Sequence, residues 1–407
     1  MKIYIKTFGC RVNQVESEAL LEEFLRRGHQ IINSPQYADI CIINTCSVTR
    51  NADKDALKEA NLIKRKNPNA RLILTGCFAR HGAKEILEKV KEAEIVQKEN
   101  LPQNLFKQNI DWTVKEHHGK TRAFVKIQDG CTNFCTYCIV PFTRPIKTSK
   151  PKKIVLEEIK TLIANGYKEI VLTGINIGNY FCTETKTNLA GLVKEIFALD
   201  GSFRIRFSSI EIPTVTDELL EVISKAGNKF CNYLHLPLQS GSSKVLKEMH
   251  RHYTAEDFEK RVQEIRQKIK DIFIYTDIIA GFPTESLEDF ENSIAFVSKI
   301  GFAGLHVFSY SPRPMTAAAK LPQLKPAEIK RRADILREED LILRQKAAES
   351  LINTEQEILV EEKSKNEKFL VATAANFQKA LVPLSTPKNT LVKVKITKSQ
   401  DSICYGK

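Results

Sequence analysis

Residues 122–138, RAFVKIQDGCTNFCTYC, join a β-strand pattern to a C-x3-C-x2-C loop formed by Cys131, Cys135 and Cys138. Three thiolates at this spacing can hold three irons of a 4Fe–4S cluster, whereas a complete protein shell would need four ligands. The missing ligand leaves one iron open to a small molecule, as in catalytic metal sites. The alternative is a zinc site, but no fourth Cys or His lies nearby at ligand spacing. The loop therefore indicates a catalytic iron–sulfur centre at the end of a strand.

About six βα units begin with this strand. The predicted strands are AFVKIQ, KEIVLTGI, RIRFSS, YLHLPLQ, IFIYTDIIAGF and LHVFSYS. Helical patterns follow at 155–164, 216–225, 255–268 and 287–299, and a long charged helix spans about 326–350. This alternation predicts an α/β domain over residues 121–350 that forms a partial TIM-type (β/α)6 barrel. Ligands of such barrels gather at the carboxyl ends of the strands.

Two further domains flank the barrel. Residues 1–100 alternate the strands KIYIKTFG, ADICIINT and ARLILTG with helices at 16–27, 51–66 and 82–92, which predicts an open parallel α/β domain. Residues 101–120 have the composition of a linker. Residues 351–407 contain four short β runs, ILVEE, FLVATA, KALVPLS and TLVKVKITK, and predict a small all-β barrel.

A second set of cysteines follows the three N-terminal strands. Cys10, Cys46 and Cys77 each come directly after a predicted strand. Parallel strands end at one sheet edge, so these thiols should converge there. Gly9 and Gly76 would let the backbone approach a bulky ligand. The alternative is three separate buried thiols, but the repeated placement favours a second three-cysteine cluster site. We interpret the other four cysteines as structural: Cys41, Cys182, Cys231 and Cys404.

Composition restricts the class of protein. The 407 residues are 42% apolar and 27% charged, which is typical of a globular protein. No run of 18 apolar residues occurs, so we expect no membrane span, and MKIYIKTFGC lacks the features of a secretory signal. We therefore expect a cytoplasmic protein, in which cysteines are interpreted as metal or redox ligands before disulfides. The net charge of +13 favours a polyanionic partner, with nucleic acid first. Basic clusters at 64–66, 147–153, 325–332 and 393–398 are the candidate RNA track.

Longer motifs resemble the methylthiotransferase family of radical S-adenosylmethionine (SAM) enzymes. TFGCRVNQVESEAL, NTCSVT and LTGC are similar to the N-terminal domain of that family, and KIQDGCTNFCTYCIVPFTR, VLTGINIGNY, SSIEI, LHLPLQSGS, TDIIAGFPTE and FSYSPRPMTAAA to its barrel. The β module resembles the TRAM RNA-binding domain. The segment after Cys10 resembles the branch that acts on N6-threonylcarbamoyladenosine in tRNA. The chain departs from the family pattern at Arg144-Pro145, at Thr284 and in a β module without glycine between residues 353 and 405.

The resemblance implies a mechanism with two 4Fe–4S clusters and two SAM molecules. The Cys131/Cys135/Cys138 cluster would generate a 5′-deoxyadenosyl radical that removes hydrogen from C2 of the adenine at tRNA position 37. The Cys10/Cys46/Cys77 cluster would present the sulfur, and a second SAM would supply the methyl group. The product would be 2-methylthio-N6-threonylcarbamoyladenosine in the anticodon stem-loop. A flavodoxin or ferredoxin would supply electrons, and we expect a monomer.

Other candidate site residues lie near the predicted strand ends. The resemblance places Tyr137 near the adenine of SAM. Four polar strand-end residues should line the barrel mouth and contact the cofactor, unless they are ordinary caps: Thr173, Asn176, Glu211 and Gln239. His235 is interpreted as an interior histidine, and Asp129 and Asp277 as either cofactor-facing or structural.

Other functions remain open at this point. Another branch of the family acts on isopentenyladenosine in tRNA, and a third modifies a ribosomal protein. A different class would be a non-enzymatic iron–sulfur protein that binds RNA or acts as a sensor.

Overall fold

The N-terminal domain is built on a five-stranded, wholly parallel sheet with the order β2-β1-β3-β4-β5. The computed structural model describes residues 1–365 and 367–407. The strands are β1 Lys2–Thr7, β2 Gln30–Ile31, β3 Ile40–Thr45, β4 Arg71–Gly76 and β5 Glu94–Ile95. β3 is buried along its whole length, as expected for a central strand covered on both faces. The predicted open parallel sheet is confirmed.

The helices of this domain differ in detail from the sequence-based expectation. They are α1 Arg11–Arg26, α2 Arg50–Lys66, α3 Cys77–His81, α4 Ala83–Lys89 and α5 Leu101–Phe106. α1 begins at Arg11 rather than near residue 16, because polar residues of its first turns are buried against the next domain and hide the apolar period. The expected helix at 82–92 is replaced by α3 and α4, which meet at Gly82. α5 lies within the expected linker, yet Leu101 packs into the core of the N-terminal sheet.

The central domain contains the six predicted strands as a curved parallel array. They are β6 Arg122–Asp129, β8 Glu169–Gly174, β11 Arg204–Phe207, β12 Tyr233–His235, β13 Phe273–Ala280 and β14 Gly304–Ser309. β6, β8 and β11 form one parallel group, and β12, β13 and β14 form another. Single bridges such as Ser209–His235 join the two groups. The array is the partial (β/α)6 barrel expected from the sequence. A short antiparallel strand, β7 Thr148–Ser149, pairs with the end of β6.

Helices cover the outer face of the barrel. They are α7 Lys152–Ala164, α8 Leu189–Phe197, α9 Asp217–Ser224, α10 Ser243–Glu248, α11 Ala255–Lys268, α12 Leu287–Ile300 and α13 Pro326–Glu349. A further short helix, α6 Val140–Thr143, follows the cysteine loop and contacts α3 of the N-terminal domain. A two-stranded hairpin, β9 Phe181–Cys182 and β10 Thr187–Asn188, precedes α8. Alternate strand residues such as Val125 and Leu172 pack against α7 in the main core. α8 is the helix of the second expected βα unit, whereas α10 was not predicted.

The inner face of the barrel is partly covered by the N-terminal domain. Phe124 of β6 and Val171 of β8 pack against Val15 and Ala19 of α1. The neighbours of Phe124 and Val171 along the same strands face the outer helices instead. Because side chains alternate between the two faces of a strand, α1 lies on the concave side of the barrel. The N-terminal domain therefore completes the wall that six strands leave open.

The C-terminal domain is a closed barrel with the strand order β15-β16-β17-β19-β18. Its strands are β15 Glu355–Lys363, β16 Leu370–Ala374, β17 Lys379–Val382, β18 Leu391–Gln400 and β19 Ile403–Gly406. It docks at the amino ends of the central strands. There, Arg204 donates to the backbone oxygens of Glu357 and Thr373 at 3.1 and 2.8 Å, and Arg206 donates to those of Ala374 and Ala375 at 3.1 and 3.0 Å.

Glu169 balances the charges of Arg204 and Arg206 at this contact. Its carboxylate accepts from Arg204 at 2.8 Å and from Arg206 at 2.7 Å, and all three side chains are fully buried. Paired in this way, both guanidiniums avoid the cost of an isolated buried charge. The small barrel thus plugs the end of the central barrel opposite the cysteine loop. No helix in residues 1–365 and 367–407 is both long and apolar enough to span a bilayer.

Candidate active site at the domain interface

The cysteine loop follows β6 at the carboxyl end of the barrel. Cys135 is buried, whereas Cys131 and Cys138 are partly buried. The backbone N–H of Asn133 donates to Cys131 Sγ at 3.5 Å, and that of Cys138 donates to the Cys135 oxygen at 2.9 Å. Burial raises the pKa of Cys138 to about 12, and the neighbouring thiols of Cys135 and Cys131 act in the same direction. The three thiols therefore form one site whose thiolate form needs a positive charge such as a metal centre.

Arg251 holds the loop from the opposite side of the barrel. Its Nη1 donates to Cys135 Sγ at 3.4 Å, its Nε donates to the Tyr253 hydroxyl at 2.9 Å, and its Nη2 pairs with Glu211. The Tyr253 hydroxyl in turn donates to the backbone oxygen of Pro237 at 2.8 Å. The sequence analysis missed Arg251, because it lies far from the cysteines along the chain and belongs to no predicted strand end.

The predicted cofactor contacts all lie at the carboxyl ends of strands. Thr173 and Asn176 are buried, and the Asn176 Oδ1 has no hydrogen-bond partner in the described structure. Glu211 is paired with Arg251. Gln239 has a left-handed φ of 77°, and its backbone N–H donates to the Asp277 oxygen at 2.8 Å. Tyr137 packs beside Ile279, Phe282 and other buried apolar residues. These positions suit a polar cofactor, and the assignment stays a prediction.

The structure brings Cys10, Cys46 and Cys77 together at one edge of the N-terminal sheet. Cys10 precedes α1, Cys46 follows β3, and Cys77 opens α3. Their thiols are near enough to interact electrostatically with one another. Burial raises the pKa of Cys46 to about 11, and burial likewise raises the pKa of Cys10. The expected convergence is therefore present in the described structure.

Gly9 and Gly76 let the cysteine-bearing turns approach each other closely. A Cβ at Gly9 would lie 2.3 Å from Cys46 Cβ and 2.4 Å from Cys46 Sγ, and a Cβ at Gly76 would lie 2.4 Å from the Thr45 oxygen. Both residues have φ near +90°, where only glycine is unstrained. These contacts draw the ends of β1, β3 and β4 together, and the expected approach of a bulky ligand stays a prediction.

Hydrogen bonds of Asn13 and Thr45 fix the three cysteine-bearing turns. Asn13 Nδ2 donates to the backbone oxygens of Phe8 and Thr45 at 2.9 and 3.0 Å. Thr45 Oγ1 accepts from the backbone N–H groups of Phe78 and Ala79 at 3.1 and 3.2 Å. These bonds tie the ends of β1, β3 and β4 to the starts of α1 and α3, so the cysteines are preorganised.

A buried ionic network joins this edge to the barrel. Arg144 donates to both carboxylate oxygens of Glu16 at 2.9 Å, to Asp129 Oδ1 at 2.8 Å and to Asn13 Oδ1 at 2.7 Å. Lys126 contacts Glu16 and Asp129 at 2.6 Å each, and Lys98 pairs with the same two carboxylates. Although burial opposes ionisation, these cations hold the pKa values of Glu16 and Asp129 well below their usual range. Asp129 is therefore a structural partner at the interface.

Arg313 makes a second bridge beside Cys46. It comes from the loop after β14, and its Nη2 donates to Ser47 Oγ at 2.7 Å and pairs with Asp53. Ser47 Oγ also donates to Asp53 Oδ1 at 2.7 Å. A cavity of about 200 Å³ lies next to the first bridge, and its lining includes Cys77 and Arg144. Two arginines thus hold the N-terminal trio against the barrel, Arg144 from the segment after Cys138 and Arg313 from the loop after β14.

The donor sets suit iron–sulfur clusters better than single metal ions. In residues 1–365 and 367–407, three Cys, His, Asp or Glu ligand atoms lie within 4.8 Å of one another only at His235, Asp277 and His306. The two cysteine trios are more widely spaced, as suits thiolates that each bind a different iron of one cluster. Three soft sulfur donors per site also fit iron–sulfur chemistry.

His235 and Asp277 form a polar group on the inner wall of the barrel. His235 Nε2 lies 2.7 Å from Asp277 Oδ1, and His306 Nδ1 lies 3.2 Å from the same oxygen. Although the partial burial of Asp277 opposes ionisation, the contact with His235 keeps the pKa of its carboxyl well below the usual range. Both predicted residues are thus hydrogen-bonded to each other, together with His306, which the sequence analysis did not single out.

The remaining cysteines and the basic clusters are placed as follows. Cys41, Cys182, Cys231 and Cys404 are buried and separate from the two trios.

Several cations of the basic clusters are occupied by ion pairs: Lys150 pairs with Glu158 and Arg332 with Glu285. Among the described residues, six exposed cations of these clusters form no ion pair: Arg65, Lys66, Lys147, Lys325, Lys395 and Lys398. These six are the part of the candidate RNA track that remains available.

Two family models match the chain. Residues 2–97 match the uncharacterized protein family UPF0004, and residues 125–297 match the radical SAM superfamily. The first match covers the domain with Cys10, Cys46 and Cys77, and the second covers the loop with Cys131, Cys135 and Cys138.

Curated relatives match nearly the whole chain. A tRNA-2-methylthio-N(6)-dimethylallyladenosine synthase of Thermodesulfovibrio yellowstonii is 35% identical over 98% of this chain and 96% of its own. A threonylcarbamoyladenosine tRNA methylthiotransferase MtaB of Thermotoga maritima is 35% identical over 88% of this chain and 86% of its own. The Bacillus subtilis protein of the latter name is 37% identical over 77% and 74%.

Solved structures show the same fold at low identity. The radical SAM methyltransferase TsrM of Kitasatospora setae aligns with a TM-score of 0.53 and 13% identity, covering 78% of this chain and 75% of its own. The cobalamin-dependent radical SAM enzyme OxsB aligns with a TM-score of 0.54 and 11% identity, covering 84% and 56%. The radical SAM family implies a 4Fe–4S cluster and SAM, which the Cys131/Cys135/Cys138 loop fits. Taken with the curated relatives, these matches show that the chain belongs to the methylthiotransferase family of radical SAM enzymes and is a transferase of tRNA modification.

Proposed function

We propose that this enzyme uses two 4Fe–4S clusters to convert N6-threonylcarbamoyladenosine at tRNA position 37 into its 2-methylthio derivative. Cys131, Cys135 and Cys138 would hold the SAM-binding cluster, and Cys10, Cys46 and Cys77 the sulfur-donating cluster. The observation that carries the proposal is the convergence of the second trio at an edge clamped to the barrel segment after Cys138. A protein with one cluster would not need this arrangement.

The chain's own residues supply orientation and a closed environment. When bound, the clusters and SAM supply the radical, the sulfur and the methyl group. Arg251 fixes Cys135 by a hydrogen bond to its sulfur. Asn176, with an unpartnered buried oxygen at the barrel mouth, offers a hydrogen-bond acceptor to a cofactor amine or hydroxyl. α1 and the C-terminal barrel close two sides of the chamber, which keeps water from a reactive intermediate.

Features near the cysteine loop support an RNA loop as substrate. Phe134 and Phe142 are exposed beside the cysteines, and their rings meet edge to face with centroids 5.9 Å apart. Exposed aromatic rings provide stacking surfaces for unpaired bases. Lys147, in the segment after Cys138, forms no ion pair among the described residues and can contact a phosphate. We include the C-terminal barrel as a TRAM-like RNA-binding module, flavodoxin or ferredoxin as the electron donor, and a monomeric enzyme in the proposal.

The choice of base rests on the segment after Cys10 and on relatives with the threonylcarbamoyladenosine name. The second candidate is dimethylallyladenosine, because a relative with that activity in its name is as similar over the whole chain. Both candidates share the chemistry at C2 of the adenine and differ in the group on N6. The threonylcarbamoyl group ends in a carboxylate, whereas the dimethylallyl group is apolar.

The test is mass spectrometry of tRNA nucleosides from cells that lack the gene. We expect loss of 2-methylthio-N6-threonylcarbamoyladenosine and accumulation of its unmodified precursor, with restoration by the wild-type gene. Cys10→Ala should fail to restore the nucleoside. The matched control is Cys41→Ala, which removes a buried thiol from the neighbouring strand β3 and should restore it. Loss of the dimethylallyl derivative alone would replace our proposal with the second candidate.

A further inference from the structure

Arg11, the residue after Cys10, points into the central barrel. It is the first residue of α1, which lies on the inner face of the barrel wall. Its guanidinium carbon is 5.8 Å from the centre of the Phe124 ring. The charged groups that act on it come from the inner faces of β6, β8 and β11: Arg122, Glu169 and Arg206. The turn that carries Cys10 therefore also places a guanidinium inside the central barrel.

This guanidinium has no partner in the described structure. Among residues 1–365 and 367–407, Arg11 makes no side-chain hydrogen bond or ion pair, although it is partly buried. Glu169 is occupied by Arg204 and Arg206. Arg122 is occupied by Glu361 at 2.9 Å. The carboxylate that acts on Arg11 is therefore already paired with other guanidiniums, and Arg11 has no carboxylate of its own among the described residues.

The surroundings of Arg11 favour binding of an anion. The guanidinium is partly buried and lies near the cations Arg122 and Arg206, and no anion among the described residues pairs with it. A partly desolvated cation beside like charges is destabilising until an anion arrives. The guanidinium is planar and presents parallel donors, so a carboxylate is the anion it fits best in a small chamber.

We propose that Arg11 binds the carboxylate of the substrate's N6 group and thereby selects threonylcarbamoyladenosine over adenosines with an uncharged N6 group. This inference rests on the proposed function. The juxtaposition that carries it is the unpaired Arg11 guanidinium inside the barrel, one residue from Cys10. One end of α1 would thus contact both the sulfur-donating centre and the N6 group of the same base. Arg11 is a specificity-determining residue, and no hydrogen or sulfur is transferred through it.

The test measures binding of synthetic anticodon stem-loops to the reconstituted enzyme with both clusters. Three stem-loops carry threonylcarbamoyl, dimethylallyl or no group on N6 of adenosine 37, and fluorescence anisotropy gives each Kd. We expect the wild type to prefer the threonylcarbamoyl stem-loop. Arg11→Met keeps the aliphatic contact with Phe124 but removes the charge. It should weaken binding of that stem-loop about tenfold to 100-fold and change the other two by less than about twofold.

Two controls separate this role from others. Arg337→Gln removes the same charge from the exposed face of α13 and should change none of the three affinities. Equal weakening of all three stem-loops by Arg11→Met would indicate a phosphate contact, and weaker binding of SAM alone would indicate a contact with the cofactor. Either result would overturn the inference.

The same data distinguish the inference from the function beneath it. If the wild type prefers the dimethylallyl stem-loop, the proposed substrate is wrong whatever Arg11→Met does. If the wild type prefers the threonylcarbamoyl stem-loop and Arg11→Met and Arg11→Gln keep that preference, only the role of Arg11 is wrong. Arg11→Lys retains a charge without parallel donors and should keep part of the preference.

Discussion

Arg144 holds Glu16 in a two-pronged ion pair, with Nη1 2.9 Å from Oε1 and Nη2 2.9 Å from Oε2. Arg144 belongs to the segment after Cys138, whereas Glu16 belongs to the helix after Cys10. The pair is buried, and Asp129 and Lys126 complete its environment. The geometry between the two cysteine trios therefore depends on this contact.

Removal of Arg144 should destabilise the contact between the two domains. Arg144→Gln leaves Glu16 and Asp129 buried with less compensation, so we expect a loss of about 3–5 kcal/mol in the free energy of unfolding. Denaturant unfolding of the holoenzyme measures this loss. The control is Arg26→Gln, which breaks the exposed pair with Glu23 and should cost less than about 1 kcal/mol. Equal losses in both variants would show that the buried pair has no special role.

Gly9 should be needed for the N-terminal cluster. The Cβ of Gly9→Ala would overlap Cys46 Sγ, so we expect iron per protein to fall from about eight to about four. Gly28→Ala is the matched control, because Gly28 also has a positive φ of 76° but has no atom within 4 Å of an added Cβ. It should keep all its iron and lose only about 1–2 kcal/mol of stability. Full iron content in Gly9→Ala would contradict the packing argument.

Arg251 should raise the reduction potential of the cluster held by Cys135. A hydrogen bond from a cation to a ligand sulfur stabilises the reduced, more negative cluster. Arg251→Gln should therefore shift the potential to a more negative value, and Arg251→Lys should shift it less. An anaerobic redox titration followed by electron paramagnetic resonance measures the potential. An unchanged or more positive potential in Arg251→Gln would show that this contact is only structural.

His117 should make stability depend on pH. Burial lowers its pKa from 6.5 to about 4, with smaller opposing effects from Glu18. The unfolded chain binds a proton below about pH 6.5 while the folded chain does not until about pH 4. Above about pH 6.5 His117 is neutral in both states, so its titration does not lower the free energy of unfolding. As the pH falls from about 6.5 to about 4, protonation of the unfolded chain lowers the free energy of unfolding progressively. At about pH 5 this decrease should be about 2 kcal/mol.

His117→Gln tests this dependence, because glutamine can still accept from the Phe124 N–H that His117 Nε2 contacts at 3.0 Å. Its free energy of unfolding should fall by about 2 kcal/mol less than that of the wild type between about pH 7.5 and about pH 5. His252→Gln, at an exposed site, should follow the wild type. A parallel fall in all three proteins would refute the assignment to His117.

The sequence predicts features that follow from local pattern and strand topology. All six barrel strands were found because each is a short apolar run before a helix. The meeting of Cys10, Cys46 and Cys77 followed from the shared edge of parallel strands. The starting point of α1 was missed, because buried Asn13 and Glu16 are polar and break the apolar period.

Other features depend on contacts between distant segments. Arg144 meets Glu16, Arg313 meets Asp53, and Arg251 meets Cys135, and none of these pairs shares a local motif. The docking of the small barrel through Arg204 and Arg206 uses backbone oxygens, which carry no sequence signal. The unpaired state of Arg11 likewise becomes visible only when the whole inner wall is assembled.

The most direct test of the account counts iron and sulfide after anaerobic reconstitution. The wild type is compared with a Cys10→Ala, Cys46→Ala, Cys77→Ala triple variant and with a Cys131→Ala, Cys135→Ala, Cys138→Ala triple variant. We predict about eight irons in the wild type and about four in each variant. Of the two variants, only the Cys10→Ala, Cys46→Ala, Cys77→Ala variant should still cleave SAM to 5′-deoxyadenosine, as the wild type does. Equal iron in the wild type and the first variant would contradict the assignment of a second cluster to Cys10, Cys46 and Cys77.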